Sequence, residues 1–222
     1  ILSLETMVPD INAAPWTSLA SWVSSSSEAT HILAGGQGTG VAHCSRSVSA
    51  TAWNCAQEDV TSEGTGQVEA LIIRSSGEAW ALLRLETGET LAYSRSLLSP
   101  DGVWELQGNP ACITGDPSCG ENRVLKLVLG AGDQTVYALG NDSLVMRRGV
   151  TGDWEDISPL AGEEAEGRVI RDLAEHEGVI NLVAYERECS LADNTDGCVL
   201  ERGRWWLFAG RSEGDAISWV EP

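Results

Sequence analysis

The sequence predicts an all-β chain of four repeated units, each of four antiparallel strands. Three observations carry that prediction. A tryptophan recurs at Trp53, Trp104, Trp154 and Trp219, at intervals of about fifty residues that lengthen before the last copy. Each closes the same phrase: an apolar strand, an arginine (Arg46, Arg95, Arg148, Arg211), a small or polar turn, then the Trp opening another short strand. No stretch keeps a helical apolar period over about a dozen residues.

The units follow in chain order. Residues 1–16 read as an N-terminal arm, or as the last strand of a preceding unit. The first unit, 17–60, holds the strand-like runs "TSLASWV" and "ATHILAG" and the phrase "VAHCSRSVSATAWNCAQ". The second, 61–110, holds "QVEALIIR", "EAWALLRLE" and "LAYSRSLLSPDGVWELQ". The third, 121–160, holds "RVLKLVLG", "TVYALGN" and "LVMRRGVTGDWEDIS". The fourth, 166–222, holds "RVIRDLAE", "VINLVAYE" and "WLFAGRSEGDAISWVEP", with the insertion "ECSLADNTDGC" inside it. Turn signals such as "SSGE", "GAGD" and "EHEG" bound the runs. "AGEEAEGRVIRDLAEHEG" is the best helix candidate, but Gly162, Gly167, Gly178 and its alignment with the other first strands make it a strand. Four-stranded units at this period are the signature of a β-propeller, since neither face of such a sheet is buried until its neighbours stack on it. A closed four-bladed ring and part of a larger ring both fit.

The tryptophan phrases carry a resemblance. "SPDGVW" resembles a shortened Asp-box turn of the sialidase-type, or BNR, repeat, Ser-x-Asp-x-Gly-x-x-Trp. Ser99, Asp101, Gly102 and Trp104 match in order with compressed spacing. Gly152, Asp153 and Trp154 match in part, Ser212 to Trp219 hold the ingredients in altered order, and "SATAW" lacks the Asp and Gly. The resemblance implies propeller blades whose Asp-box is a folding element remote from any catalytic face. A sialidase-like activity would need an arginine cluster, a Tyr–Glu nucleophile pair and an acid Asp. "AYERE" offers Tyr185 beside Glu186 and Glu188, but successive strand residues point to opposite faces.

Charge and cysteines bound the function. The chain has 222 residues, a formal charge of −19 and a pI near 4.3. A polyanion lacks the Lys and Arg with which proteins hold phosphates, so nucleic acid is excluded as a partner. No run approaches the ~18 apolar residues of a membrane span. The six cysteines fall into three local pairs, Cys44 with Cys55, Cys112 with Cys119, and Cys189 with Cys198. None has the spacing of a zinc knuckle, and His31, His43 and His176 have no partner three or four residues away, so loop-stapling disulfides are expected and no metal centre. Disulfides imply a secreted, periplasmic or cell-surface protein. With Ile1 first and no leader visible, a leader is expected to have been removed.

Candidate contact residues lie outside the repeat. "LADNTDGC" resembles a calcium loop in which Asn194, Asp196 and Gly197 match; Ala192 replaces the first ligand and no Glu closes the loop. It reads as a disulfide-stapled recognition loop, with a weak Ca²⁺ site at Asp193–Asp196 as the sole cofactor candidate. "ACITGDPSCG" is the same kind of object. In "RWWLF", Trp205 and Trp206 point to opposite faces of a strand, one to the core and the other to sugar or protein. The repeated arginines and tryptophans read as scaffold. "GGQGTG" reads as a hairpin turn, since it lacks the Lys of a phosphate loop. "GVAHCS" resembles the His phrase of trypsin-like proteases, but no Gly-Asp-Ser-Gly follows. The expected function is a non-enzymatic extracytoplasmic binding or scaffold protein that meets protein or glycan through blade-end loops. The alternatives are a sialidase-like carbohydrate-active enzyme or lectin, and a subunit or fragment of a larger surface assembly in which a partner chain completes the ring.

Overall fold

The computed structural model describes residues 16–26, 28–62, 64–99, 101–112, 124–149, 152–161, 164–165, 167–189, 200–213 and 216–220. Side chains of 187–189, 200–202, 212, 213 and 216 lie outside the description. The chain forms two compact units, 1–110 and 111–222. Each contains two four-stranded antiparallel sheets in which strand order follows chain order. Each sheet is thus a plain meander, the topology of a propeller blade, and the chain is all-β.

In the first unit, blade 1 is β1 (Trp16–Val23), β2 (Ala29–Gly36), β3 (Gly40–Ser47) and β4 (Asn54–Asp59). Blade 2 is β5 (Gly66–Ile73), β6 (Glu78–Leu85), β7 (Thr90–Ser96) and β8 (Glu105–Leu106). Trp16, assigned to the arm on sequence, opens β1. β1 alternates strictly: Trp16, Ser18, Ala20 and Trp22 are half-buried while Thr17, Leu19, Ser21 and Val23 are exposed. The core between the blades joins Leu33 and Val41 to Val68, Leu71, Ala81 and Leu83. Each fully buried side chain of this kind contributes about 1.5–3 kcal/mol.

Close approach depends on one glycine. A Cβ at Gly35 would sit 2.5 Å from Val68 Cγ1, so only Gly lets β5 come against β2. The pairing of β5 with β6 slips between Val68 and Ala70, a bulge that frees backbone groups. Blade 1 supplies their partners. Thr17 Oγ1 donates to the Val68 carbonyl at 2.7 Å, and Ser18 Oγ accepts from the Leu71 amide at 2.7 Å. The polar residues of "TSLASW" therefore stitch one blade to the next.

In the second unit, blade 3 is β9 (Val124–Leu129), β10 (Val136–Gly140), β11 (Val145–Arg148) and β12 (Glu155–Asp156), with a short 3₁₀ turn at Ala131–Asp133. Blade 4 is β13 (Arg168–His176), β14 (Val179–Cys189), β15 (Leu200–Glu213) and β16 (Ala216–Val220). β13 is the segment with mild helical character, and it pairs along its length with β14. Glu177 and Gly178, both at positive φ, make the two-residue turn that joins them. Tyr137, Leu139, Val145 and Ile157 pack on Ile170, Leu182, Ala184 and Phe208. Trp219 Nε1 donates to the Ile157 carbonyl at 2.9 Å. Tyr137 donates to Glu175 at 3.0 Å, and burial, the Glu175 charge and this bond together raise the phenol far above its ordinary range.

Candidate functional site

The repeated phrase resolves into a geometric unit. The arginine leaving the third strand of a blade lies over the tryptophan that opens the fourth. The guanidinium carbon is 4.8 Å from the ring centre for Arg46 and Trp53, and 6.0 Å both for Arg95 with Trp104 and for Arg148 with Trp154. Hairpin closure brings the two together, and the cation–π attraction adds about 0.5–2 kcal/mol to each turn. Trp154 is buried, Trp104 and Trp219 pack against the cores of their units, and Trp53 is half-buried. In blade 4, Arg211 is exposed and pairs with Ser218 of β16.

A polar relay crosses the junction of blades 1 and 2. His31 on β2 and His43 on β3 meet, Nδ1 to Nε2, at 3.0 Å. His43 Nδ1 lies 3.0 Å from Glu58 Oε1 on β4. Arg95 on β7 pairs with the other oxygen, Glu58 Oε2. A carboxylate only accepts, so His43 holds its proton on Nδ1, and its Nε2 accepts from His31 Nδ1–H in the neutral pair. Trp22 walls the relay, its ring 5.3 Å from His31. Burial, then the charges of His43 and Arg95, holds His31 below the usual imidazole range. Burial raises the Glu58 carboxyl, but the His43 hydrogen bond and the Arg95 charge outweigh it and leave it below the usual range.

Neither local metal-ligand spacing nor the protease-like phrase around His43 points to this relay. A usable signal existed. With "GQGTG" as a hairpin turn, Leu33 faces His43 and His31 faces Ser45, which sets both imidazoles on one face of adjacent strands.

Two open grooves flank this junction. One, of roughly 670 Å³, lies along its outer edge, with Glu58, Asp59, Tyr93, Arg95, Asp101 and Trp104 among its walls. The other, of roughly 580 Å³, lies at the blade ends and is built by turns of both blades, with Gln37, Gly38, Gly66, Gln67, Arg84 and Glu86 among its walls. "GGQGTG" forms the β2–β3 turn here, Gly38 at φ 87°, and the Gly38 amide donates to the Gly66 carbonyl at 2.8 Å. Glu69 accepts from Gln67 Nε2 at 2.6 Å and from Arg84 Nε, which fixes the arginine at the groove wall.

Blade 4 separates the two adjacent tryptophans. Trp206 faces the core; its Nε1 donates to Glu186 at 2.8 Å and the Arg168 guanidinium lies 4.0 Å from its ring. Trp205 is 66% exposed, with Tyr185 beside it. Tyr185 and Glu186 accordingly point to opposite faces.

Cys44 and Cys55 form a disulfide, and Cys112 is disulfide-bonded. Cys119, Cys198, Asp193, Asn194 and Asp196, with the Cys189 side chain, lie outside the described residues. Among the described residues no cluster of three His, Cys, Asp or Glu is placed to hold a metal, and no helix is long and apolar enough to cross a membrane.

No family model matches the chain, and no curated protein matches it. Among solved structures, the β-propeller domain of Cps50 (Swd1) from Myceliophteria thermophila aligns at 12% identity and TM-score 0.49, over 93% of this chain and 69% of that one. YjhT aligns at 10% identity and TM-score 0.49, over 95% and 65%. The α-L-arabinofuranosidase PaAbf62A from Podospora anserina, in complex with cellotriose, aligns at 12% identity and TM-score 0.46, over 96% and 69%. The chain thus spans about two thirds of the length of these structures. None of the three carries information about what this chain binds or does.

Proposed function

We propose that the chain is an extracytoplasmic, non-enzymatic binding or scaffold protein with blades of the sialidase/BNR repeat type, which holds a protein or glycan ligand through loops at the blade ends. The observation that carries this reading is the blade-end groove of roughly 580 Å³. Its walls come from turns of two successive blades, and its main polar arm, Arg84, is already fixed by Glu69. Such preorganisation lowers the ordering cost of binding. The Cys44–Cys55 disulfide supports an oxidising compartment. The charge of −19 argues against a polyanionic partner.

The test is a binding screen of the full chain against immobilised glycans and cell-surface proteins. Arg84→Ala and Gln37→Ala should weaken the ligand found by at least about tenfold, or 1.4 kcal/mol; Gln37→Ala should leave the melting temperature unchanged, while Arg84→Ala should lower it because Glu69 loses its ion-pair partner. A glycosidase panel run beside it decides the enzymatic alternative: reproducible turnover replaces the scaffold reading.

One observation favours a larger assembly. Leu19 and Val23, on the outward face of β1, are 61% and 64% exposed, which suits a face covered by a partner chain. A monomeric mass in solution with little binding of an apolar dye would count against that reading.

A further inference from the structure

Residues Asn141 to Leu144 turn β10 into β11. The Leu144 amide donates to the Asn141 carbonyl at 3.0 Å, and both central residues stand at positive φ, Asp142 at 50° and Ser143 at 59°. Glycine is the ordinary choice for such positions, because a Cβ crowds the backbone there. Neither position holds one, so each residue needs a reason. Asp142 has one: its Oδ1 accepts from the Gly167 amide at 3.0 Å. The Ser143 backbone has one as well, since its amide donates to the Arg168 carbonyl at 2.8 Å. Any residue except proline would make that second bond.

The Ser143 side chain has no such reason. It is 0% exposed, and its Oγ finds no hydrogen-bond partner among the described residues. A buried hydroxyl without a partner lowers stability, and glycine would remove that cost and suit the backbone at once. The Asn141 side chain is likewise unused. It is half-buried at the turn, and no hydrogen bond or ion pair ties it among the described residues. The two polar side chains of the turn that the fold does not employ stand two residues apart. They read Asn-Asp-Ser, the only Asn-x-Ser/Thr triplet in the chain.

We propose that Asn141 is the acceptor of an N-linked glycan. The proposal rests on the extracytoplasmic reading above and adds a modification site to it. Asn-x-Ser/Thr, with x other than Pro, is the acceptor pattern of secreted proteins. The hydroxyl is needed while the chain is still open to the transferase, which accounts for a serine that the closed turn buries without a partner. The sugar comes from an oligosaccharide activated as a lipid diphosphate. Its anomeric C–O bond breaks, a bond from Asn141 Nδ2 to that carbon forms, the lipid diphosphate leaves with the electron pair, and one Nδ2 proton passes to a base of the transferase. Asp142 beside the acceptor is exposed, so the glycan has a way out to solvent.

The experiment is peptide mapping by mass spectrometry of the full chain recovered from the organism that makes it. Cleavage after Lys126 and Arg147 releases residues 127–147 with Asn141 inside. That peptide should carry a glycan, and peptide N-glycosidase in heavy-oxygen water should convert its Asn to a labelled Asp. Asn141→Gln and Ser143→Gly, made in the same host, should each abolish the glycan. Asp142→Asn should keep it, since it leaves the triplet intact and Asn tolerates positive φ. Ser143→Gly should also melt about 2–4 °C above Asn141→Gln, which equally lacks the glycan. An unmodified peptide from protein whose Cys44 and Cys55 are oxidised overturns the proposal and leaves the extracytoplasmic reading standing. Free thiols at Cys44 and Cys55 remove both. A glycan that survives Ser143→Gly, or a Ser143→Gly variant that melts below Asn141→Gln, overturns the role given to Ser143.

Discussion

His31 and His43 face each other through single ring nitrogens 3.0 Å apart, and that contact is a hydrogen bond only while one of the two carries the proton. With both rings charged, two N–H groups would point at one another between a tryptophan and an arginine. The groups that surround the pair are Trp22 on β1, Glu58 on β4 and Arg95 on β7.

This relationship gives a pH dependence with a definite sign. His31 in the folded chain lies below its ordinary value, chiefly through burial, so the folded state holds fewer protons than the unfolded state. Glu58 also lies below its ordinary value. Both contributions are present at neutral pH and are lost on acidification: His31 from about pH 6.5 downward, Glu58 from about pH 4.5 downward. The melting temperature should therefore fall between pH 7 and pH 5 and fall further toward pH 3. Calorimetric scans across that range check it. His31→Gln should flatten the upper limb and leave the lower limb in place, and an upper limb of unchanged slope would refute the assignment.

Arg95 is nearly buried and Glu58 is its ion-pair partner. Arg95→Met should cost about 2–4 kcal/mol, because it leaves a carboxylate short of its counter-ion at the blade junction. The figure stays at the lower end because the Glu58 side chain keeps 21% of its exposure. Urea unfolding of the single variants and of the Arg95→Met/Glu58→Gln double variant checks the pair. The double variant should be more stable than the sum of its parts predicts.

The Cys44–Cys55 bond closes an 11-residue separation between adjacent strands. Constraint of the unfolded chain by a loop of this length is worth about 3 kcal/mol. The Cys44→Ala/Cys55→Ala variant should lose that much in denaturant unfolding without loss of secondary structure.

The repeated tryptophans should differ in cost according to their burial. Trp154 is 8% exposed, so Trp154→Ala should cost about 3–5 kcal/mol. Trp53 is half-buried, and Trp53→Ala should cost distinctly less. Equal losses in thermal unfolding would mean that the turn itself, and not the buried ring, sets the contribution.

Sheet architecture was legible because its signals are local. Strand alternation, Gly-rich turns and the Arg-to-Trp phrase each fit within a few residues, and the four sheets follow them. The bulge between Val68 and Ala70 was not legible, since its free backbone groups are met by Thr17 and Ser18 from about fifty residues away. The facing of His31 and His43 follows from the β2–β3 hairpin register, but the link through Glu58 to Arg95 stayed hidden because it needs the packing of β7 from the next blade. Alternation showed that Trp205 and Trp206 must point apart. It did not say which one meets solvent, because that depends on which face of blade 4 packs against blade 3.

β8 and β12, the outermost strands of blades 2 and 3, are two residues long. A strand that short presents almost no free run of amide and carbonyl groups to a passing chain. Another polypeptide therefore finds little at these rims to zip onto, even in a protein made wholly of sheets. The turns before them are held in place by Trp104 and Trp154, each packed inward with an arginine over its ring. In blades 2 and 3 the edge is thus closed to pairing by a short strand and anchored by a tryptophan, so a residue added in either turn should unseat the ring before it disturbs the strands inside.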